Sequence, residues 1–235
     1  MQPLQAPIIT IDGPGGTGKG TISHILAKKL GWHFLDSGVL YRILALAAKQ
    51  AHIAWDDAAK LAVLANQLQV TFVPAGIGDS PIVLLNHKDV TNLIRTEECG
   101  QGASQVGVFP EVRTALLARQ RAFCQPPGLV TDGRDMGTVV FPNAELKFFA
   151  GNPEERAKRR YNQLHRQGIN VSLQQVLQEL NSRDQRDSSR AIAPLQPAAD
   201  AVIIDTTHLT VDQVLEKVLA EVSRRFGSEV FLPMN

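Results

Sequence analysis

Nine consecutive residues, Gly13-Pro14-Gly15-Gly16-Thr17-Gly18-Lys19-Gly20-Thr21, place a lysine and a hydroxyl directly behind a run of glycines. Glycines accept positive φ and let the backbone come close to a ligand, so that successive N–H groups can point at phosphate oxygens. The apolar run Ile8-Ile9-Thr10-Ile11 precedes this stretch and an amphipathic run to Leu30 follows it, the strand, loop and helix order of a phosphate-binding loop. The helix would present its positive N-terminal end to the same anion. Lys19 would reach the β- and γ-phosphates of a nucleotide as a point charge, and the Thr21 hydroxyl would hold Mg²⁺ directly or through water. The usual pattern has Ser or Thr immediately after the lysine, whereas here Gly20 intervenes. A glycine-rich turn in an ordinary α/β protein is the alternative, and the position between a strand and a helix favours the nucleotide.

Further charged residues collect at strand ends and on helices. Asp132-Gly133-Arg134-Asp135-Met136-Gly137 follows the apolar run Gly128-Leu129-Val130-Thr131. Ligands gather at the carboxyl ends of strands in an open parallel sheet, so this corner and the phosphate loop are expected to face one crevice. Asp132 is placed to organise Mg²⁺ through its water shell. Arg134 and Asp135 could form a local ion pair, but two acids and an arginine exceed what a turn needs. Ser37 heads a helix from Val39, as an N-cap or as part of an anion site, and Arg42 lies in reach of a phosphate arriving there. Arg156, Arg159 and Arg160 share one helical face, and Arg183, Arg186, Asp187 and Arg190 share another if the helix runs through them. Solvated ion-pair ladders are the ordinary reading of such sets, and beside a phosphate loop they become candidates for gripping phosphates.

The elements that must position these residues alternate between strands and helices. Trp32 to Leu35, Glu145 to Ala150 and a last buried strand, Ala201 to Asp205, read as β; Asp56 to Leu68, Pro110 to Phe123 and Thr210 to Phe226 read as helices. Asp56 or Asp57 would cap the first of these helices. Most of Arg113, Arg119 and Arg121 are expected at the surface. Val70 to Pro74 and Ile82 to Leu85 form a small antiparallel unit across the breaker-rich loop 75–81, a substrate-binding flap or a decorative insertion. Asn152-Pro153-Glu154-Glu155 starts a helix that breaks near Gly168, after which Ser172 caps another to about Asp187. Two helices joined by a short break make a hinged lid.

Composition narrows the class. At 235 residues with 44% hydrophobic and 20% charged content, the chain reads as a folded globular protein, and no run approaches the ~20 apolar residues of a membrane helix. The first seven residues have neither a basic start nor an apolar core, so no secretion signal and a cytoplasmic location are expected. Cys99 and Cys124 have no metal-like spacing and are expected to be reduced. A formal charge of +1, with two Trp and two Tyr, argues against a nucleic-acid-binding module. A regulatory GTPase would use the same loop but would carry Asn-Lys-x-Asp, and the chain contains no Asn-Lys dipeptide. A kinase for a different small acceptor remains an alternative, because the loop does not name the acceptor.

Taken together, the chain resembles the bacterial cytidylate kinases, nucleoside monophosphate kinases of the P-loop superfamily. The resemblance rests on Gly18-Lys19-Gly20-Thr21, which accounts for the displaced threonine, on Leu35-Asp36-Ser37-Gly38 with Tyr41-Arg42, on Asp132 to Pro142 and on Arg183 to Pro194. It implies transfer of the ATP γ-phosphoryl group to CMP or dCMP with Mg²⁺, on a parallel sheet flanked by helices. Positions 1–68, 96–151 and 188–235 would be the core, 69–95 a β-rich monophosphate-binding insert and 152–187 a helical lid. By matching position, Gly13 to Thr21 would hold ATP. Ser37, Arg42, Ser104, Arg113, Arg134, Asp135, Arg183, Asp187 and Arg190 would form the monophosphate site. Ser104 and Asp135 would read the cytosine edge, Arg183 and Asp187 the sugar, and Arg42 and Arg134 the phosphate. Lys19, Arg134 and the lid arginines Arg156, Arg159 and Arg160 would stabilise the transferred phosphoryl, with Thr21 and Asp132 serving Mg²⁺. A monomer acting on small molecules is expected, with no nucleic-acid or membrane partner.

Overall fold

The structure is a computed structural model that describes residues 6–73, 81–150, 156–166, 168, 170–206 and 208–231. In chain order its elements begin with β1 (Ile8–Asp12), α1 (Lys19–Leu30) and β2 (His33–Asp36). They continue with α2 (Ser37–Gln50), α3 (Ala58–Gln67), β3 (Val70–Val73), β4 (Ile82–Leu85), β5 (Lys88–Asp89), α4 (Glu97–Val106) and α5 (Pro110–Arg121). After these come β6 (Leu129–Gly133), β7 (Leu146–Ala150), α6 (Arg156–Arg166), α7 (Leu173–Ser188), β8 (Val202–Ile204) and α8 (Val211–Phe226). Contacts divide the chain into two compact units, one spanning Leu35–Phe123 and the other made of the segments on either side of it.

The flanking segments build on a five-stranded sheet of order β2-β6-β1-β7-β8. β1 pairs in parallel with β6 and β7 on its two sides, and β7 pairs in parallel with β8. A central parallel strand is covered on both faces, which is why Ile8-Ile9-Thr10-Ile11-Asp12 is buried at every position. Ile9, Ile11 and Phe148 pack with Ile22 and Leu26 of α1 and with Val214, Val218 and Val222 of α8. The spacing of four within each helix is the period that keeps one face on the sheet. Thr10 points the other way, where a Cβ added to Gly137 would lie 2.8 Å from its Oγ1. Gly137 belongs to a single π-helical turn, Met136–Val140, whose closing bond runs from Phe141 N to Met136 O at 2.7 Å. Both α7 and α8 start with a capping box, Ser172 with Gln175 and Thr210 with Gln213. The last strand departs from the buried strand expected: β8 is an edge strand, and Ile203 is 60% exposed. The helix start read at Asn152 to Glu155 lies outside the described residues, as does most of the loop 75–81.

In the Leu35–Phe123 unit, α2 packs on α4 and α3 on α5. The expected antiparallel pair is present as β3 and β4, extended by a short third strand, β5. Asn86 and His87 both take positive φ, 49° and 64°, the geometry of a two-residue hairpin turn between β4 and β5. Asp57, not Asp56, caps α3 by accepting from Lys60 N at 3.1 Å. Asp36 holds the N-cap position of α2, so Ser37 is its first helical residue and makes no capping bond. α4 was not anticipated from periodicity, because Gly100 and Gly102 dilute its apolar pattern. Its start was legible in Thr96, which accepts from Cys99 N, followed by Glu97 and Glu98.

The glycines of α4 have a packing reason. A Cβ on Gly102 would lie 2.7 Å from Trp55 Cζ2 and 2.8 Å from Ala45 Cβ, and Trp55 is held in place by Nε1 donating to Ala45 O at 3.0 Å. Gly102→Ala should therefore force α2 and α4 apart and destabilise the protein by about 1–3 kcal/mol despite the better helix propensity of alanine. Urea unfolding checks this; an unchanged or higher midpoint contradicts the packing account.

Candidate active site

The phosphate loop spans the gap between the end of β1 and the start of α1, and its conformation requires glycine at two points. A Cβ on Gly13 would fall 2.0 Å from Ala150 O at the end of β7, and Gly16 adopts φ +79° with Arg156 Cβ 3.2 Å from where its own Cβ would be. Lys19 is the first residue of α1, is buried, and donates to Pro14 O at 3.3 Å; Thr17 Oγ1 donates to the same carbonyl at 3.3 Å. Two loop residues thus brace one carbonyl.

β6 lies beside β1 in parallel register, Ile11 opposite Asp132 and Asp12 opposite Gly133. That register delivers the charged corner to the loop, as expected. A Cβ on Gly20 would lie 3.8 Å from Asp132 Oδ2, an ordinary contact distance that places the carboxylate against the first turn of α1. Thr21, in the same turn, is exposed. A carboxylate and a hydroxyl beside a phosphate loop suit Mg²⁺, a hard cation that keeps several waters and takes its remaining oxygens from phosphates. Among the described residues no cluster of three or more His, Cys, Asp or Glu could hold a metal unaided, in keeping with so sparse a donor set.

Arg134 follows β6 directly. Its Nε donates to Asp187 Oδ2 at 2.8 Å, and its Nη2 lies 3.7 Å from where a Gly15 Cβ would be. Arg190 binds the other oxygen of Asp187, so one buried carboxylate joins two guanidinium groups. Burial alone would raise the Asp187 pKa, but Arg134 and then Arg190 outweigh it and hold the carboxyl below its ordinary value. For Arg134 burial works against the charge, and Asp187 more than restores it, so its pKa lies above the ordinary value. The helix does not run through Arg190 as the charge pattern required: α7 stops at Ser188, and Arg190 folds back to Asp187 from beyond its end. Arg183 stands half-buried one turn before Asp187, and Asp135 is buried ahead of the π-helical turn, whose amides at Val139 and Val140 donate to its carbonyl.

The three arginines of α6 separate. Arg156 is buried against the loop, with Nη1 donating to Gly15 O at 2.9 Å and Nη2 to Asp184. Arg159 Nη2 donates to Thr206 O at 2.7 Å, and Arg160 is half-buried. In the Leu35–Phe123 unit, Ser37 and Ser104 are buried, on α2 and α4. Arg42 Nη1 donates to Ile94 O at 2.9 Å and Thr96 O at 3.2 Å. Arg113, one of three arginines of which most were expected at the surface, is buried: its Nη1 donates to Gly107 O at 2.9 Å and its guanidinium lies 5.5 Å from the centre of the Tyr41 ring.

Two acidic residues at the loop were not singled out from the sequence. Asp184, on α7, engages Arg156; its three-residue spacing from Asp187 was the available signal. Asp12 ends β1 immediately before Gly13 and accepts from Met136 N at 2.9 Å and Gly137 N at 2.7 Å, tying the π-helical turn to the phosphate loop. Burial raises the Asp12 carboxyl to about 6; the Gly137 and Met136 amides and Lys19 oppose the rise, and Asp135 adds to it.

Comparison with known proteins adds relatives. The sequence model of the cytidylate kinase family matches residues 9–224. A cytidylate kinase from Pseudomonas syringae pv. tomato is 53% identical over 223 residues, covering 94% of this chain and 97% of the relative. A cytidylate kinase from Shewanella amazonensis is 50% identical over 228 residues, covering 97% and 99%. Among solved structures, an uncharacterized protein from Eubacterium ventriosum superposes with a TM-score of 0.50 at 13% identity, covering 94% of this chain and all of that one, a likeness of fold.

The Asp12 carboxyl has a testable consequence. A folded-state pKa of about 6 against an ordinary 3.8 means the folded protein holds this proton more tightly than the unfolded chain. Its contribution to stability is complete below about pH 4 and is lost as pH rises through 6, a span of ~3 kcal/mol. Asp12→Asn, which resembles the protonated acid, should remove that slope. Unfolding midpoints of both proteins between pH 4 and 7 check it; parallel curves would contradict it.

Proposed function

The chain belongs to the cytidylate kinase family, and from that premise we infer that it transfers the γ-phosphoryl group of ATP to CMP or dCMP, giving ADP and CDP or dCDP. The observation that carries this reading is the convergence of Lys19, Arg134 and Arg156 on the loop 13–18, each within reach of a loop carbonyl or glycine. Transfer between two phosphates needs no covalent intermediate and no strong base. It is mainly positioning and neutralisation of spread charge, which a lysine, arginine forks and loop amides supply. The transfer is direct and in line.

Gly13 to Thr21 hold the ATP phosphates, with Lys19 on the β- and γ-oxygens. Thr21 and Asp132 serve Mg²⁺, directly or through water. When bound, the ion supplies neutralisation of phosphate charge. Arg134 takes the acceptor phosphate, and Asp135 the cytosine edge. Arg183 and Asp187 take the sugar, and Arg190 stands with them. Ser37, Arg42, Ser104 and Arg113 of the Leu35–Phe123 unit also bind monophosphate, Ser104 at the base and Arg42 at the phosphate. Residues 1–68, 96–151 and 188–235 serve as the core, 69–95 as a monophosphate-binding insert and 152–187 as a lid. The lid carries Arg156, Arg159 and Arg160 to the transferred group and excludes water from it. The working form is a cytoplasmic monomer acting on small molecules. Among the described residues no helix is long and apolar enough to cross a membrane.

A coupled assay with ATP compares CMP, dCMP, UMP, AMP and no acceptor. CMP and dCMP should turn over far faster than the others, and chelating Mg²⁺ should abolish turnover reversibly. Asp135→Ala and Arg183→Ala should each lower kcat/KM for CMP by about ten- to hundredfold, the worth of a charged hydrogen bond. No turnover of any monophosphate would overturn the reading.

A further inference from the structure

Arg156 is bonded on two sides. Its Cβ stands against Gly16, its Nη1 donates to Gly15 O at 2.9 Å, and its Nη2 is bound by Asp184 from the second helix of the hairpin. Only 4% of the residue is exposed, and its Nε is a buried donor without a hydrogen-bond partner among the described residues. A buried guanidinium donor left unsatisfied costs free energy, and it lies where a glycine-rich loop is shaped for an anion. α6 and α7 themselves meet through a small core of Ala157, Leu164, Val176 and Leu180. That core sets the distance between the helices, but the Asp184 carboxylate is what aims the fork.

We propose that Asp184 is a positioning residue for phosphoryl transfer: it clamps Arg156 onto the Gly15 carbonyl so that the remaining guanidinium N–H groups are pre-set for a phosphate oxygen of the bound nucleoside triphosphate. A long side chain free to rotate would have to be ordered during the reaction, and fixing it beforehand removes that cost from the barrier. The clamp also explains the division of labour on α7. Asp187, one turn further on, holds Arg134 and Arg190, whereas Asp184 holds the arginine that touches the loop. The role rests on the proposed kinase activity, and it separates Asp184 from the acceptor residues around it.

The test compares the native protein with D184N, D184E, R156A and the double variant R156A/D184N. ATP and CMP are each varied at saturation of the other, and binding of a non-hydrolysable ATP analogue is measured by calorimetry. D184N should lower kcat/KM for ATP about ten- to hundredfold and weaken analogue binding, with the KM for CMP within about twofold of native. D184E should recover part of the loss. In the R156A background D184N should add nothing, because the two act as one unit. An equal loss in that background, or a change in the CMP parameters instead, would overturn the proposal, as would a lowered melting temperature with ATP parameters intact. Should D184N fail to fold, R156K, whose single ammonium cannot reproduce the fork, should show the same ATP-specific loss, and native behaviour would overturn the clamp. Analogue binding needs no turnover, so a native protein inactive on CMP would refute the activity while still deciding the role of Asp184.

Discussion

Arg134, Arg156, Arg190 and Lys19 concentrate positive charge around one loop, with most of these groups removed from water. An isolated buried cation is costly, and removing the partner of a buried ion pair costs about 3–5 kcal/mol. The site therefore carries its own counter-charges: Asp187 between Arg134 and Arg190, Asp184 on Arg156, and Asp12 within the electrostatic reach of Lys19. Each carboxylate is itself buried or half-buried, and for Asp187 and Asp12 the direction of the pKa follows from the balance of burial against neighbouring charge. Asp187, with two guanidinium groups, stays below the ordinary value despite burial, whereas Asp12, bonded by amides and near only one lysine, rises above it.

The sheet makes this arrangement possible. β1 is central, with β6 on one side and β7 on the other, so the loop leaving β1 has the ends of two parallel strands as its walls. The β6 side contributes Asp132 and Arg134, and the β7 side contributes the Ala150 carbonyl that leaves no room for a side chain at Gly13. Ligands in open parallel sheets collect at this end because the strand ends and helix N-termini face it together. Asp12 extends the same logic to the π-helical turn, whose two amides it receives, so the first residues after the charged corner are tied to the strand that carries the loop.

Local rules made much of this legible in the sequence. The glycine spacing with Lys19 and Thr21 marked the loop, Ser172 and Thr210 marked two helix starts, and the alternation of apolar runs marked a parallel sheet. Where a residue answers to a distant neighbour, the pattern failed. Gly100 and Gly102 disguised α4, because glycine there serves the close approach of Trp55 and Ala45 and not the helix itself. Arg113 looked like a solvated helical charge because nothing local announces the Gly107 carbonyl or the Tyr41 ring. The 201–205 run has the composition of a buried strand, and only the strand order makes it an edge.

The sequence by itself determined most of the elements, the phosphate loop and the identity of the charged residues, because those depend on neighbours within a few positions along the chain. Tertiary structure alone decided which acid meets which base. Asp184 and Asp187 are three residues apart on one helix, yet one reaches an arginine 28 residues away and the other an arginine 53 residues away. Pairings over such distances are set by strand order and helix packing, and no local propensity encodes them.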